Sequence, residues 1–143
     1  MKKNKLRSAC PINYALENLG DKWALLVIRD LVFEGKRFYK EFLESEEGIA
    51  TNILSDRLKR LERWGIITSE TYALQRTKKV YSLTEKGKDL IPTLVELIQW
   101  SAKYEGGLNV NQRFLEKLSA DKAGVIRAIT EQVGQKTFSA HGK

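Results

Sequence analysis

The 143-residue chain has one cysteine and one histidine, and these scarcities exclude several kinds of site. With Cys10 alone, no disulfide can form within the chain, which is typical of proteins from a reducing compartment. His141 lies in a polar tail, so neither a histidine-dependent catalytic triad nor a His/Cys metal site is expected in the folded core. No glycine-rich phosphate loop of the Walker or dinucleotide type occurs. The sequence therefore predicts neither an enzyme nor a cofactor.

Long hydrophobic runs are also missing. No segment approaches the ~18 apolar residues of a membrane span, and the polar, basic residues 1–7 do not lead into the apolar stretch of a secretory signal. We therefore expect a cytoplasmic protein that does not span a membrane. Lysine and arginine number 25 against 18 acidic residues, a formal net charge of +7. Such an excess favours an anionic partner, nucleic acid or a membrane surface, although it also serves simple solubility.

The most informative segment spans residues 48–67 and has the pattern of an amphipathic helix that ends at a glycine. At 100° per residue, one side carries an apolar stripe of Ala50, Leu54, Leu58 and Leu61. The other side carries amide, hydroxyl and charged groups, namely Asn52, Ser55, Asp56, Lys59 and Arg63. A helix with these two faces suits insertion into a DNA major groove. An ordinary amphipathic helix with a solvated charged face has the same pattern.

The segments around this helix predict a mainly helical domain with one small β-hairpin. Three helices are expected before it, at residues 11–19, 22–34 and 38–44, with Asp21 as the N-cap of the second. Two β-branched segments after it, at residues 66–72 and 80–83, predict antiparallel strands. This order is a winged helix-turn-helix, in which one helix reads the groove and the hairpin, or wing, reaches a neighbouring phosphate or the minor groove.

The last part of the chain predicts further helices. Thr84 and Glu85 begin a long helix that runs to about Tyr104, with a kink at Pro92. Two extra helices, broken near residues 119–121, are expected before a flexible tail. The predicted domains are residues 8–105 for the winged helix-turn-helix with its long dimerisation helix, 108–134 for the extra helices and 135–143 for the tail.

Four short motifs occur in a fixed order along this chain. They are Cys10-Pro11-Ile-Asn-Tyr-Ala-Leu16, Gly20-Asp-Lys-Trp23, Leu58-Lys-Arg-Leu-Glu62 with Gly65-Ile66, and Val80-Tyr-Ser-Leu-Thr-Glu-Lys-Gly87. Together they resemble the HxlR-type family of bacterial transcriptional regulators, a branch of the MarR-like winged-helix group, over about residues 8–105. The resemblance implies a homodimeric DNA-binding regulator that dimerises through its N-terminal helix and the long helix after the wing.

The chain departs from this family pattern in three places. Ala50 stands where a helix-capping serine is usual, so the cap is expected to shift by one residue, to Thr51. The wing lacks a commonly seen proline. The extension beyond Gly107 goes past the usual core of the family.

Candidate DNA contacts lie along the polar face of the predicted recognition helix. Asn52 can donate and accept at adenine, and Ser55 can bond a base edge or a phosphate. Thr51, at the helix start, suits a phosphate. Lys59 and Arg63 lie further along the same face and suit phosphates or the rim of the interface.

Other charged residues of the helix and the wing have more than one interpretation. Arg60 lies on the flank of the reading face, and Asp56 is expected to pair with it rather than face DNA. Arg57 lies near the apolar stripe, and pairing with an acid inside the protein is the structural alternative to a contact with DNA. The wing contributes three candidate phosphate contacts, Arg76, Lys78 and Lys79. Lysines also protect exposed strand edges, which is the structural alternative for this cluster.

The long helix after the wing is apolar on nearly all sides, so it must be buried on more than one side. A second subunit, the C-terminal helices or both could cover it. The candidate dimer interface comprises Ile12, Leu16, Leu90, Leu94, Leu97, Ile98, Trp100 and Tyr104. A symmetric dimer places two recognition helices one DNA turn, ~34 Å, apart and matches a pseudo-palindromic operator.

Cys10 precedes Pro11 at a helix start and follows a basic N-terminal segment, and both features favour a reactive thiolate. In some members of the family that the chain resembles, the cysteine at this position senses oxidants or electrophiles. Switching would then need a Cys10–Cys10 bond between subunits or a mixed adduct with a small thiol. The alternative is a small buried residue at the dimer interface.

The sequence thus predicts a homodimeric regulator that binds specific double-stranded DNA. The alternative from another class is a winged-helix module that binds protein and not specific DNA, which would leave an apolar patch exposed on the dimer.

Overall fold

The computed structural model of the chain describes residues 5–135, so His141 and the predicted tail from residue 136 onward lie outside the described residues. The elements, in chain order, are α1 (Pro11–Leu19), α2 (Ala24–Val32), α3 (Tyr39–Leu43), α4 (Thr51–Arg63), β1 (Ile67–Thr71), β2 (Lys79–Leu83), α5 (Glu85–Lys88), α6 (Ile91–Tyr104) and α7 (Gln112–Gln135). The strands pair antiparallel, with Ile67 opposite Leu83 and Thr71 opposite Lys79. The architecture is the winged helix-turn-helix that the sequence predicts.

The first two helices begin at the residues that favour helix starts. Pro11 occupies the first helical position of α1, where its missing N–H is not needed. The Asp21 carboxylate accepts hydrogen bonds from the backbone N–H groups of Trp23 (3.0 Å) and Ala24 (3.2 Å) at the start of α2. Asp21 therefore caps α2 as predicted, although the regular helix is shorter than the predicted residues 22–34.

The start of α4 differs from the prediction. Ala50 is an exposed N-cap in extended conformation, so it is not part of the apolar stripe, and the cap does not shift to Thr51. The stripe itself consists of Leu54, Leu58 and Leu61, all buried. At the other end, Gly65 has φ +72°, and the N–H of Ile66 donates to the Leu61 carbonyl at 2.9 Å. This left-handed glycine ends the helix and turns the chain into β1.

The prediction of one long helix kinked at Pro92 is wrong. The segment divides into the short α5 and the longer α6, and Pro92 lies in the first turn of α6. At that position a proline breaks no intrahelical hydrogen bond, so it starts a helix rather than bending one. Thr84 caps α5 as expected, since its side chain accepts from the N–H of Gly87. A Cβ at Gly87 would collide with the Ile66 carbonyl oxygen, so this position requires glycine.

The core is centred on α2, whose Val27, Ile28 and Leu31 are buried against α6, β2 and α7. The C-terminal extension folds back onto this core, and Leu118 and Val133 of α7 are buried in it. Its regular geometry breaks at Asp121 (φ −157°, ψ 76°), which confirms the predicted break. No helix within residues 5–135 is long and apolar enough to cross a membrane.

Candidate nucleic-acid interface

The exposed face of α4 carries the groups expected to read DNA. Because Leu54 and Leu58 are buried in the core, the opposite side of the helix is turned outward, and Asn52, Lys59 and Arg63 are exposed there. The N-cap Ala50 supplies no side-chain hydrogen bond to the first turn. The N–H groups of that turn, together with exposed Thr51, therefore suit an anionic oxygen such as a phosphate.

Tyr39 on α3 fixes the start of α4, a role that the sequence analysis did not assign. Its hydroxyl donates to the Thr51 carbonyl at 2.9 Å and lies 3.2 Å from the Ser55 Oγ. Ser55 is consequently half-buried beside this ring rather than fully presented to solvent. The contact links the two helices of the helix-turn-helix at the end that would meet DNA. Tyr39 has no local sequence signal for this role, because the contact spans the turn between two helices.

A cluster of two acids and two arginines joins α4 to the start of α2. The Arg57 Nε donates to Asp21 at 2.7 Å, and its Nη1 donates to Asp56. Arg60 lies 3.4 Å from Asp56 and 3.9 Å from Asp21. The predicted pairing of Asp56 with Arg60 is therefore confirmed, and Arg57 takes the structural role. Arg60 is less available to DNA than an unpaired arginine would be.

Asp21 accepts hydrogen bonds from both helices, and these hydrogen bonds affect the pKa of its carboxyl group. Burial raises the pKa of the Asp21 carboxyl, but the hydrogen bond from Arg57 and those from the backbone N–H groups of Trp23 and Ala24 outweigh burial. The net pKa of Asp21 lies below its ordinary value. The same pairing raises the pKa of the Arg57 guanidinium, so both partners stay charged at neutral pH.

The three cations of the wing differ in their exposure to solvent. Arg76 and Lys79 are exposed, at the tip and at the start of β2, whereas Lys78 is half-buried and its Nζ lies 5.2 Å from the Phe38 ring centroid. The Ser69 hydroxyl donates to Glu62 of α4 at 2.8 Å, which fixes the wing against the recognition helix. A rigid wing beside α4 suits simultaneous contact with a groove and a neighbouring phosphate.

The candidate dimer residues fall into two groups. Ile12, Trp100 and Tyr104 are 70%, 66% and 67% exposed, and Leu16 and Leu97 are also exposed. The rings of Trp100 and Tyr104 are 5.8 Å apart between centroids and form one aromatic surface on α6. By contrast, Leu94 is 6% exposed inside the chain's own core, and Leu90 and Ile98 are partly buried. Leu94 is therefore not part of the surface that a second subunit could contact.

Cys10 is exposed at the N-cap of α1. Its thiol is therefore accessible in the single chain, and burial against a second subunit stays the alternative to a sensing role. Within residues 5–135, no cluster of three or more histidine, cysteine, aspartate and glutamate side chains is arranged to hold a metal ion.

Fold and site together define a winged helix-turn-helix protein of the transcription-factor type, and sequence comparison identifies its family. Residues 18–107 match the HxlR-like helix-turn-helix family. The chain belongs to this family, and the relatives that it matches are HTH-type transcriptional regulators.

Individual relatives agree with this assignment. The HTH-type transcriptional regulator YdeP of Bacillus subtilis is 34% identical over 96 residues, which cover 67% of this chain and 74% of YdeP. The HTH-type regulator sll1512 of Synechocystis is 36% identical over 88 residues, 62% of this chain, and the match spans only 64% of the sll1512 protein. The structure is similar to that of the redox regulator HypR in its oxidised form, with a TM-score of 0.59 and 32% identity over 67% of this chain and 98% of HypR.

Proposed function

We propose that this protein is a homodimeric transcriptional regulator of the cytoplasm that binds a specific, pseudo-palindromic DNA site. The observation that carries the proposal is the exposure of Asn52, Lys59 and Arg63 on a helix whose opposite face is fixed in the core. Asn52, with Ser55 in support, would discriminate bases, because an amide can pair with both edge atoms of adenine in the major groove. Phosphate contacts would come from Thr51, Lys59, Arg60, Arg63, Arg76, Lys78 and Lys79.

The dimer would form through the exposed apolar residues of α1 and α6. Isolated apolar side chains on a surface are ordinary, but large aromatic side chains grouped on one helix favour a protein contact. The interface would include Ile12 and Leu16 of α1, and Leu97, Trp100 and Tyr104 of α6, with Leu90 and Ile98 at its base. Such a dimer places the two α4 helices in successive major grooves, about 34 Å apart.

The test is fluorescence anisotropy of the reduced protein on its own upstream DNA and on scrambled DNA, across a salt series. We expect a preference of about 10³ or more for the upstream fragment, and a steep loss of affinity with salt. Equal and weak binding to both fragments, with an apolar patch still exposed on the dimer, would favour the protein-interaction module instead.

We further propose that Cys10 makes DNA binding sensitive to oxidants. Two observations favour this: the Cys10 thiol is exposed, and the similar structure of HypR is that of a redox regulator in its oxidised form. Diamide would take up two hydrogens from two thiols and leave a Cys10–Cys10 disulfide between subunits, or one Cys10 joined to a small thiol. Diamide should change the DNA affinity of the native protein and leave that of Cys10→Ser unchanged. The same response in both proteins would contradict a role for this thiol.

A further inference from the structure

The polar face of α4 includes a serine hydroxyl whose orientation depends on a neighbouring helix. Asn52, Ser55 and Lys59 follow one another at spacings of three and four residues, so they lie along one stripe of α4. Ser55 is half-buried in the middle of this stripe, between two exposed side chains. If α4 lies in a major groove with this stripe toward the bases, the Ser55 hydroxyl therefore meets a base edge.

The Tyr39 hydroxyl determines whether Ser55 can donate a hydrogen bond to a base. Tyr39 donates to the Thr51 carbonyl at 2.9 Å, and its oxygen lies 3.2 Å from the Ser55 Oγ. A carbonyl has no proton and a phenol has only one, so the bond to Thr51 uses the Tyr39 proton. The Ser55 hydroxyl is therefore the donor in its contact with Tyr39. Because its only proton points to Tyr39, Ser55 offers lone pairs alone to a partner on the outer side of α4.

The four bases differ in what they offer to such an acceptor. In the major groove, adenine and cytosine each present an exocyclic amine that donates, whereas guanine and thymine present only acceptor atoms to a polar partner. An amine opposite Ser55 forms a hydrogen bond with its lone pairs, but a carbonyl oxygen at the same place finds no donor. Phosphate oxygens are also acceptors, so a Ser55 hydroxyl in this orientation does not bind the DNA backbone.

We propose that Tyr39 is a positioning residue that restricts Ser55 to an amino base, adenine or cytosine, at one position of each half-site. This preference differs from that expected of Asn52, whose amide both donates and accepts and therefore suits adenine. Exchange of adenine for cytosine keeps an amine at the position that Ser55 contacts, whereas exchange of adenine for guanine removes it. The inference rests on the proposed function, because it specifies which bases the proposed recognition helix distinguishes.

Anisotropy on the upstream DNA fragment and on its single-base-pair variants tests the inference. For the native protein, we expect one position in each half-site where adenine and cytosine bind within about twofold of each other and guanine and thymine about five- to tenfold more weakly, as for one lost hydrogen bond. The analogue of the natural base that lacks the amine, purine for adenine or 2-pyrimidinone for cytosine, should weaken binding by a similar factor. In Ser55→Ala, the four bases at this position should bind within about twofold of one another.

Tyr39→Phe keeps the ring and removes only the hydroxyl, so it distinguishes control of Ser55 from simple support of α4. Without the Tyr39 oxygen, the Ser55 proton can turn outward, and the penalty for guanine and thymine should fall below about twofold. A residue that merely supported the helix would weaken binding to all variants alike and leave the order of the bases unchanged. In a Ser55→Ala background, Tyr39→Phe should not alter the base preference further. Tyr14→Phe is the matched control, because its hydroxyl accepts from Lys86 and lies on α1.

Two results would refute this inference and leave the proposed function standing. One is specific DNA binding with no amine-dependent position that Ser55→Ala abolishes, and the other is a Tyr39→Phe variant that keeps the native order of the four bases. If no specific DNA binding is found, the proposed function is wrong and so is the base preference. Neutron diffraction from the free protein then tests the positioning role by itself: a deuteron on the Ser55 Oγ that points to Tyr39 supports it, and any other direction refutes it.

Discussion

Replacement of Asp21 tests whether the ionic cluster between α2 and α4 holds the recognition helix in place. In Asp21→Ala, the N–H groups of Trp23 and Ala24 lose their acceptor, a capping loss of about 1 kcal/mol. The charge-assisted bond to Arg57, 2.7 Å long, is also lost. Charge-assisted hydrogen bonds contribute about 1.5–3 kcal/mol, but partial exposure of both side chains and the remaining contact of Arg57 with Asp56 reduce this loss to about 1 kcal/mol.

The expected fall in the free energy of unfolding is therefore about 2 kcal/mol for Asp21→Ala. Asp21→Asn keeps an oxygen for the cap and loses only the charge, so it should cost about 1 kcal/mol. Urea unfolding at one fixed protein concentration measures both values, because the stability of a dimer depends on concentration. Equal costs for the two variants, or a cost below about 0.5 kcal/mol for Asp21→Ala, would refute the assigned role of this carboxylate.

The pH dependence provides a second check on the same residue. Hydrogen bonds lower the pKa of Asp21 in the folded state despite the opposing effect of burial. A carboxyl whose pKa is lowered by folding stabilises the protein above its unfolded-state pKa, about 3.9, and that contribution is lost as the pH falls through the folded-state pKa. The difference in stability between the native protein and Asp21→Asn should therefore be complete at pH 7 and shrink below about pH 4. A difference that grows on acidification would contradict this reasoning.

Three further substitutions test the proposed interfaces. Asn52→Ala should cost about 1–3 kcal/mol of binding to the specific site and relax the preference at one base pair, as measured by anisotropy on single-base variants of the operator; an unchanged preference would mean that another residue reads that base. Arg76→Ala should weaken binding to all sequences alike and lower the salt slope by about one, whereas a selective loss on the operator would assign it a base contact. Trp100→Asp should shift the dimer toward monomer in sedimentation velocity, because it places a charge in an apolar contact. Leu74→Asp, an equally exposed site on the wing loop, should leave the sedimentation unchanged, so an equal shift in both variants would indicate nonspecific destabilisation.

The polar face of α4 was predictable because a helix repeats every 3.6 residues, which places Asn52, Lys59 and Arg63 opposite Leu54 and Leu58 whatever the rest of the chain does. The pairing of Asp56 with Arg60 was predictable for the same reason, since both lie one turn apart on one helix. The division at Pro92 is not predictable from the sequence, because proline fits either a kink or a first turn and the sequence pattern is the same in both cases.

Elements with local signals are predictable from the sequence alone: the helix periodicities, the caps at Asp21 and Thr84, the left-handed turn at Gly65 and the β-branched strands of the wing. Which of several candidate partners each side chain contacts depends on the tertiary structure. It pairs Arg57 with Asp21, 36 residues away, turns Leu94 inward while Trp100 faces out, and brings the Tyr39 hydroxyl beside Ser55. These outcomes depend on the packing of distant segments against one another, and no local pattern along the chain encodes the distances between them.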